Sequence, residues 1–216
     1  MTEKMLDMVD KKFPLKEIAT GEFATAKVGP MKFRIKCYDA EGLGRVSVMS
    51  GSGMFGLMKM DTVIINPFER DMALFSYDRI HAMGNDTIFL ELYDTRMDRK
   101  RLPNDIEQVV DKYKDIPEQP VAPNWYDQIK FSVSLKKKGK KDVTPRFDKL
   151  TQEYLDAVIK LIEQAPECDV KEKKKAAAMY TEGLLTNGGP STDQFVKAKG
   201  KEYTQKLFRS YLFGTE

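Results

Sequence analysis

The chain has 216 residues, 41% hydrophobic and 32% charged, which is enough apolar material for a packed core and excludes a globally disordered chain. Its 36 Lys and Arg against 33 Asp and Glu leave a net charge of +3, too mild to argue for a nucleic-acid partner. Cys37 and Cys168 fit neither a disulfide framework nor a zinc pattern, and no stretch has the apolarity of a signal core or a membrane span. The expectation is therefore one domain over residues 1–216 in the reducing cytoplasm, with no metal and no membrane partner.

In chain order, Glu3 to Lys12 predicts a short helix with Met5, Met8 and Val9 on one side. Phe13-Pro14 and Gly29-Pro30 bracket a loop with some strand content. From Met31 the period becomes two. Met31, Phe33, Ile35 and Cys37 alternate with Lys32, Arg34, Lys36 and Tyr38, as in a strand with one wet face. Asp39 to Gly42 turns the chain, and Leu43 to Met49 returns as a second strand. Gly51-Ser52-Gly53-Met54-Phe55-Gly56 spells GxGxxG, but a dinucleotide loop must open a helix whose N-terminus holds the pyrophosphate. Here Leu57 to Ile65 follows and ends in the β-branched run Thr62-Val63-Ile64-Ile65, so the glycines read as a loop between strands.

After a turn at Asn66 to Arg70, Met72 to Met83 and Thr87 to Tyr93 read as a hairpin with its turn at Gly84-Asn85-Asp86. Asn104 is placed to cap a helix reaching Tyr113. Ile116 to Pro123 is loop, and Trp125 to Leu135 carries Ile129, Phe131, Val133 and Leu135 in strand phase. Three helices close the chain: Phe147 to Gln164, Val170 to Leu185, and one from Ser191 or Thr192 through Leu212. Strands grouped first and helices grouped last argue for an α+β fold with helices packed on an antiparallel sheet.

The chemistry concentrates in the hairpin. Asp78 and His81 lie mid-strand among Phe75, Tyr77, Ile80 and Met83. A strand carboxylate is either solvated or paired, with Arg79 for instance, or it sits in a site that uses its shifted pKa. His81 is the single histidine and could relay protons with Asp78, but the odd spacing sends the two to opposite faces of a regular strand. Arg96, Arg99, Lys100 and Arg101 form one basic cluster, suited to ligand carboxylates or an acidic protein, and Lys136 to Lys141 form another that reads as a solvated hairpin tip. The aromatics Phe195, Tyr203, Phe208 and Tyr211 are core residues by spacing, with a ligand pocket as the alternative. The basic runs lack interleaved aromatics, which speaks against single-stranded nucleic acid.

The segment Asp71-Met72-Ala73-Leu74-Phe75-Ser76-Tyr77-Asp78 resembles the strand of ferredoxin-dependent bilin reductases that ends in the family's proton-donating Asp. Ile88 to Asp94 resembles the neighbouring strand, and Thr95 to Lys100 is similar to the related red chlorophyll catabolite reductases. Asn187-Gly188-Gly189-Pro190, Phe195, Gly200-Lys201-Glu202-Tyr203 and Leu212-Phe213 resemble the family's Asn-Asp-Pro segment, its Phe-Gly-x-Glu-Trp helix and its Leu-Phe ending, so that the likeness spans residues 31 to 213.

The resemblance implies a three-layer α/β/α sandwich with a central, mainly antiparallel sheet and C-terminal helices. It also implies reduction of a linear tetrapyrrole by sequential electron and proton transfer, with electrons from ferredoxin or flavodoxin and no tightly bound cofactor. Asp78 would be the proton donor and His81 a relay; Arg96, Arg99, Asn187 and Phe195 would hold the pigment. The sequence departs from the pattern where many members carry a catalytic His. Asp61 and Thr62 stand there, which makes Asp61 a candidate substitute acid, with a turn-proximal carboxylate at a strand start as the alternative. The partner Glu is missing from Ser50 to Gly53, and a glycine replaces the Asp of Asn-Asp-Pro. These departures keep open a protein that binds a tetrapyrrole or another flat apolar ligand without reducing it.

Overall fold

A computed structural model describes residues 1–98 and 105–216. Eight antiparallel strands form one sheet in the order β1-β3-β4-β5-β6-β7-β8, with β2 pairing β3 beside β1. The strands are β1 (Leu15–Ile18), β2 (Thr25–Val28), β3 (Met31–Ala40), β4 (Gly44–Gly53), β5 (Met58–Pro67), β6 (Leu74–Ala82), β7 (Asn85–Tyr93) and β8 (Leu135–Lys140). Chain neighbours β3 to β7 pair in sequence order, so short turns build most of the sheet from local contacts.

Helices cover both faces, giving the three layers expected. On one face α1 (Thr2–Asp10), α2 (Asp105–Lys112) and α3 (Thr144–Gln164) bury Met5, Val9, Ile106, Phe147, Leu150 and Val158 against Val48, Val63, Tyr77 and Leu90. The other face carries α4 (Val170–Asn187), α5 (Pro190–Lys199) and α6 (Lys201–Lys206), which runs into a π-helical segment, Leu207–Leu212. Their Tyr180, Leu184, Phe195, Phe208 and Leu212 pack on Ile35, Cys37, Met49 and Ile64. Successive strand residues alternate between these cores, as the two-residue period requires. Cys37 and Cys168 are both free thiols.

The π-helical segment is tied to the sheet by side chains reaching its last carbonyls, which have no partner within the helix. Ser47 Oγ donates to Leu212 O at 2.8 Å and Asn66 Nδ2 to Phe213 O at 2.8 Å. Arg45 Nη1 donates to Ser210 O and Tyr211 O at 2.9 and 3.0 Å. A buried Asn or Ser with a fixed carbonyl partner sets position as well as contributing energy, so the roof over the second face is held at a defined height.

Three expectations are corrected. The β6–β7 turn falls at Met83-Gly84, both in the left-handed region, with Ala82 opposite Asn85. Trp125 to Leu135 is not a strand. Asn124 and Asp127 form a capping box that starts a 3-10 turn at Trp125–Ile129, and the eighth strand is the lysine run from Leu135 to Lys140. That run tolerates strand geometry because its side chains find partners: Lys137 is buried, with Nζ donating to Ile116 O at 2.9 Å and Glu118 Oε1 at 2.7 Å. Finally, Gly200, at φ 87, divides the last predicted helix into α5 and α6. The expected cap Asn104 lies outside the described residues.

Candidate active site

Alternation along β4 to β7 decides which side chains meet. Met49, Thr62, Asp78 and Phe89 are register partners across four strands and project to the same face, beneath α4 and the π-helical segment. One row on lie Ile64, Ser76 and Glu91. Tyr126, Tyr180, Leu184, Thr192, Phe208 and Phe213 close the space above them, leaving a cavity of about 210 Å³ between sheet and helices. The lining is mostly apolar, with two carboxyl groups set in it.

Asp78 is one of the two. Its surroundings remove water from the carboxyl group and push its pKa up to about 6. Burial is the main cause; Glu91 adds to it, while Thr62 and Ser76 oppose it by hydrogen bonding. Thr62 Oγ1 donates to Asp78 Oδ1 at 2.5 Å. Of Asp61 and Thr62, the two residues at the start of β5 singled out in the sequence, only Thr62 faces Asp78.

Glu91 is buried deeper in the same wall. Tyr93 Oη donates to Glu91 Oε2 at 2.8 Å, and the ammonium groups of Lys130 and Lys136 stand 3.6 and 3.7 Å from Oε1. Burial, together with nearby Lys130, lowers the Lys136 pKa. The Tyr93 ring stacks on Tyr180 with centroids 4.4 Å apart, and Tyr126 meets Tyr93 edge-on at 5.6 Å. Burial raises the pKa of all three phenols, that of Tyr126 to about 12, so they remain hydrogen-bond donors across the neutral range. Trp125 braces the cluster from outside: Nε1 donates to Gly188 O at 2.9 Å, and its ring lies where a Cβ on Gly183 would be 2.2 Å away.

The other residues singled out in the sequence do not gather here. His81 is on the opposite face of β6, with Nδ1 3.4 Å from Asp86 Oδ1, beside the buried pair of Arg79 and Asp86. Odd spacing along a regular strand put it there, and no bulge reunites it with Asp78. Asp61 also faces away from the cavity, accepting from Ser50 Oγ at 2.6 Å. Arg96 is buried: Nε donates to Asp94 Oδ1 at 2.7 Å, and its guanidinium lies 4.9 Å from the Phe131 ring centroid. Asn187 is exposed at the end of α4, and Phe195 is core between Phe33 and Phe208. Arg99 lies outside the described residues.

Of the expected catalytic and pigment-holding residues that are described, Asp78 alone lines the cavity, together with Phe208 from the aromatic set. Sequence reasoning passed over Glu91, Tyr93, Tyr126 and Tyr180. The observed register, Asp78 opposite Phe89, puts Glu91 and Tyr93 on the face of Asp78, whereas the turn expected at Gly84-Asn85-Asp86 would have put Leu90 and Leu92 there; nothing local marks Tyr126 or Tyr180, which arrive from distant segments. In the Asn187-Gly188-Gly189-Pro190 segment, Gly188 sits at φ 79, ψ 179, a conformation essentially restricted to glycine.

No known family's sequence profile matches the chain, and no curated protein matches it. Among solved structures, phytochromobilin synthase from tomato in complex with biliverdin aligns with a TM-score of 0.81 over 99% of this chain and 82% of that one, at 13% sequence identity. The two chains share a fold.

Proposed function

We propose that this protein binds a linear tetrapyrrole between the sheet and α4, and reduces it with electrons from an acidic ferredoxin or flavodoxin, Asp78 giving the proton. The observation that carries the reading is a single one: an acid whose pKa is raised to about 6 lines an apolar cavity beneath the C-terminal helices. The resemblance of residues 71–78 to the bilin-reductase strand and the fold shared with a biliverdin-bound structure support it.

Each double bond reduced takes up two electrons and two protons. An electron arriving on a bound, conjugated pigment makes it more basic, and a protonated Asp78 beside it then transfers its proton to carbon or nitrogen. The resulting carboxylate is held by the Thr62 hydroxyl until it regains a proton from solvent. With a pKa of about 6, roughly a tenth of Asp78 is protonated at pH 7 in the empty site. A flat ligand that displaces the remaining water raises that fraction. The cavity of about 210 Å³ is smaller than sites for drug-sized ligands, roughly 300–1,000 Å³, so on this reading the lining must open to admit a tetrapyrrole.

A second reading, binding without reduction, is favoured by the missing histidine and glutamate of the resembling family: of Asp61 and Thr62, nearest the histidine's place, Asp61 faces away from the cavity and the Thr62 hydroxyl cannot act as a base near neutrality. One experiment separates the two. Biliverdin is added to the protein and the visible spectrum followed, then reduced ferredoxin is supplied with air excluded. A shifted spectrum that bleaches or moves on reduction supports the reductase. A shift with no turnover selects the binding protein, and an unshifted spectrum refutes both.

A further inference from the structure

The end of the sheet where β4 meets β5 and β6 meets β7 is built unlike an ordinary pair of turns. Gly53 pairs Met58 and Met58 pairs Ala82, so the two tips lie side by side. The first tip carries Met54, Phe55 and Gly56, all in the left-handed region, at φ 50, 55 and 85; the second carries Met83 and Gly84, at φ 50 and 78. Met54, Phe55 and Met83 are the only non-glycine residues with positive φ among those described. Gly, Asn and Asp adopt that conformation with least strain, and a two-residue hairpin of this kind favours Asn before Gly. Large apolar residues stand there instead, and nothing covers them. Phe55 is 108% exposed, Met83 80% and Leu57 67%.

Neither turn chemistry nor core packing calls for those side chains. Exposed apolar residues clustered at one place mark a contact surface. Its charge surroundings say of what kind. On the face turned away from the cavity, the rows behind the tips place Lys27 opposite Lys32 and Lys59 opposite Ser52, with Arg34 one row further. None of these four cations has an ion-pair partner among the described residues; the carboxylate of Asp61, in the row of Arg34, accepts from Ser50 and offsets one of the four charges, so the face stays positive. Lys140 and Lys141, at the end of β8, add to the same edge. In a chain of net charge +3, this end therefore concentrates positive charge behind protruding apolar tips. Two tips of three and two residues are by themselves smaller than the roughly 800 Å² per partner that a stable protein interface buries. They suit a fluid surface that closes around each side chain while anionic headgroups meet the lysines.

We propose that this end of the sheet is a peripheral docking surface for an anionic lipid bilayer, with Phe55, Leu57, Met54 and Met83 entering the interface and Lys27, Lys32, Arg34 and Lys59 facing the headgroups. It stands independently of what the cavity binds.

The test is sedimentation of the intact protein with vesicles of phosphatidylcholine alone or mixed with phosphatidylglycerol. The comparison variant is Phe55→Asn with Met83→Asn. Asn suits left-handed turn positions, so this variant keeps or gains stability and its thermal unfolding serves as the control. The expected result is binding to the phosphatidylglycerol vesicles only, weakened by salt, and reduced by roughly tenfold for each apolar side chain removed. Lys32→Glu with Lys59→Glu lowers the same binding. Absence of binding, equal binding to both vesicle types, or undiminished binding by the Asn variant overturns the proposal. So does self-association in sedimentation velocity that the Asn variant abolishes, which assigns the tips to a second copy of the chain.

Discussion

Replacing Asp78 by Asn tests the central feature without requiring any ligand. In the folded protein the carboxyl titrates at about 6 instead of its ordinary 3.8, because burial disfavours the ionised form. The sign follows directly. Between these two values the folded state holds a proton that the unfolded chain has released, so stability falls as pH rises through the window and is level above it. The gap corresponds to about 3 kcal/mol. The substituted amide is neutral at every pH and still offers Thr62 an acceptor. The Asp78→Asn variant should therefore match the wild type below about pH 4 and exceed it by up to about 3 kcal/mol above about pH 7. Urea unfolding of both proteins at the two pH values measures this, and the other titrating groups cancel in the difference. If the advantage of Asp78→Asn does not grow with pH, the carboxyl is not desolvated, and the argument for a proton held near neutrality fails with it.

Two further substitutions probe the surroundings on either face. Thr62→Val removes the hydroxyl that donates to Asp78 Oδ1 and so favours the carboxylate. The Asp78 titration, followed by carboxyl-carbon NMR, should move upward by about one pH unit, and a downward move would refute the assignment. On the opposite face, Arg79 Nε and Nη2 donate to Asp86 at 3.0 and 2.6 Å, and Thr144 Oγ1 donates to it at 2.8 Å. Burial alone would raise the Asp86 pKa, but these bonds outweigh it and hold the group below the usual range. Arg79→Leu leaves that buried carboxylate without its main partner and should destabilise the fold by about 3–5 kcal/mol in urea unfolding. A loss below about 1 kcal/mol would show that Asp86 is solvated or protonated without Arg79.

Much of the layer architecture was legible because it rests on local periodicity. The alternation Met31, Phe33, Ile35, Cys37 identified β3, and the β-branched run at 62–65 identified β5 in place of a nucleotide-binding helix. Parity along β6 separated Asp78 from His81, as the structure has it. Segments whose signals mislead were missed for identifiable reasons. Ile129, Phe131, Val133 and Leu135 have strand spacing, but the reciprocal Asn124–Asp127 cap starts a helical turn and strand pairing is taken up further along. The lysine run reads as solvent-facing because its type suggests water, yet Lys137 is buried against a backbone carbonyl and Glu118. The expected hairpin turn was one residue too late because Met83 takes a conformation more often given to Asn or Gly.

The sequence by itself determined which residues alternate, where glycines and prolines interrupt them, and hence that a meandering sheet carries helices and that Asp78 projects to one face of it. Those are properties of neighbours within a few residues, governed by backbone geometry. Whether that face is wet or dry is a different kind of fact. It depends on Tyr180 and Phe208 arriving from more than a hundred residues away, and on Ser47, Asn66 and Arg45 fixing the carbonyls at Ser210 to Phe213 above the sheet. Desolvation is set by everything within a few ångströms, regardless of its distance along the chain. Only the tertiary structure could therefore turn an ordinary aspartate into an acid that titrates at about 6.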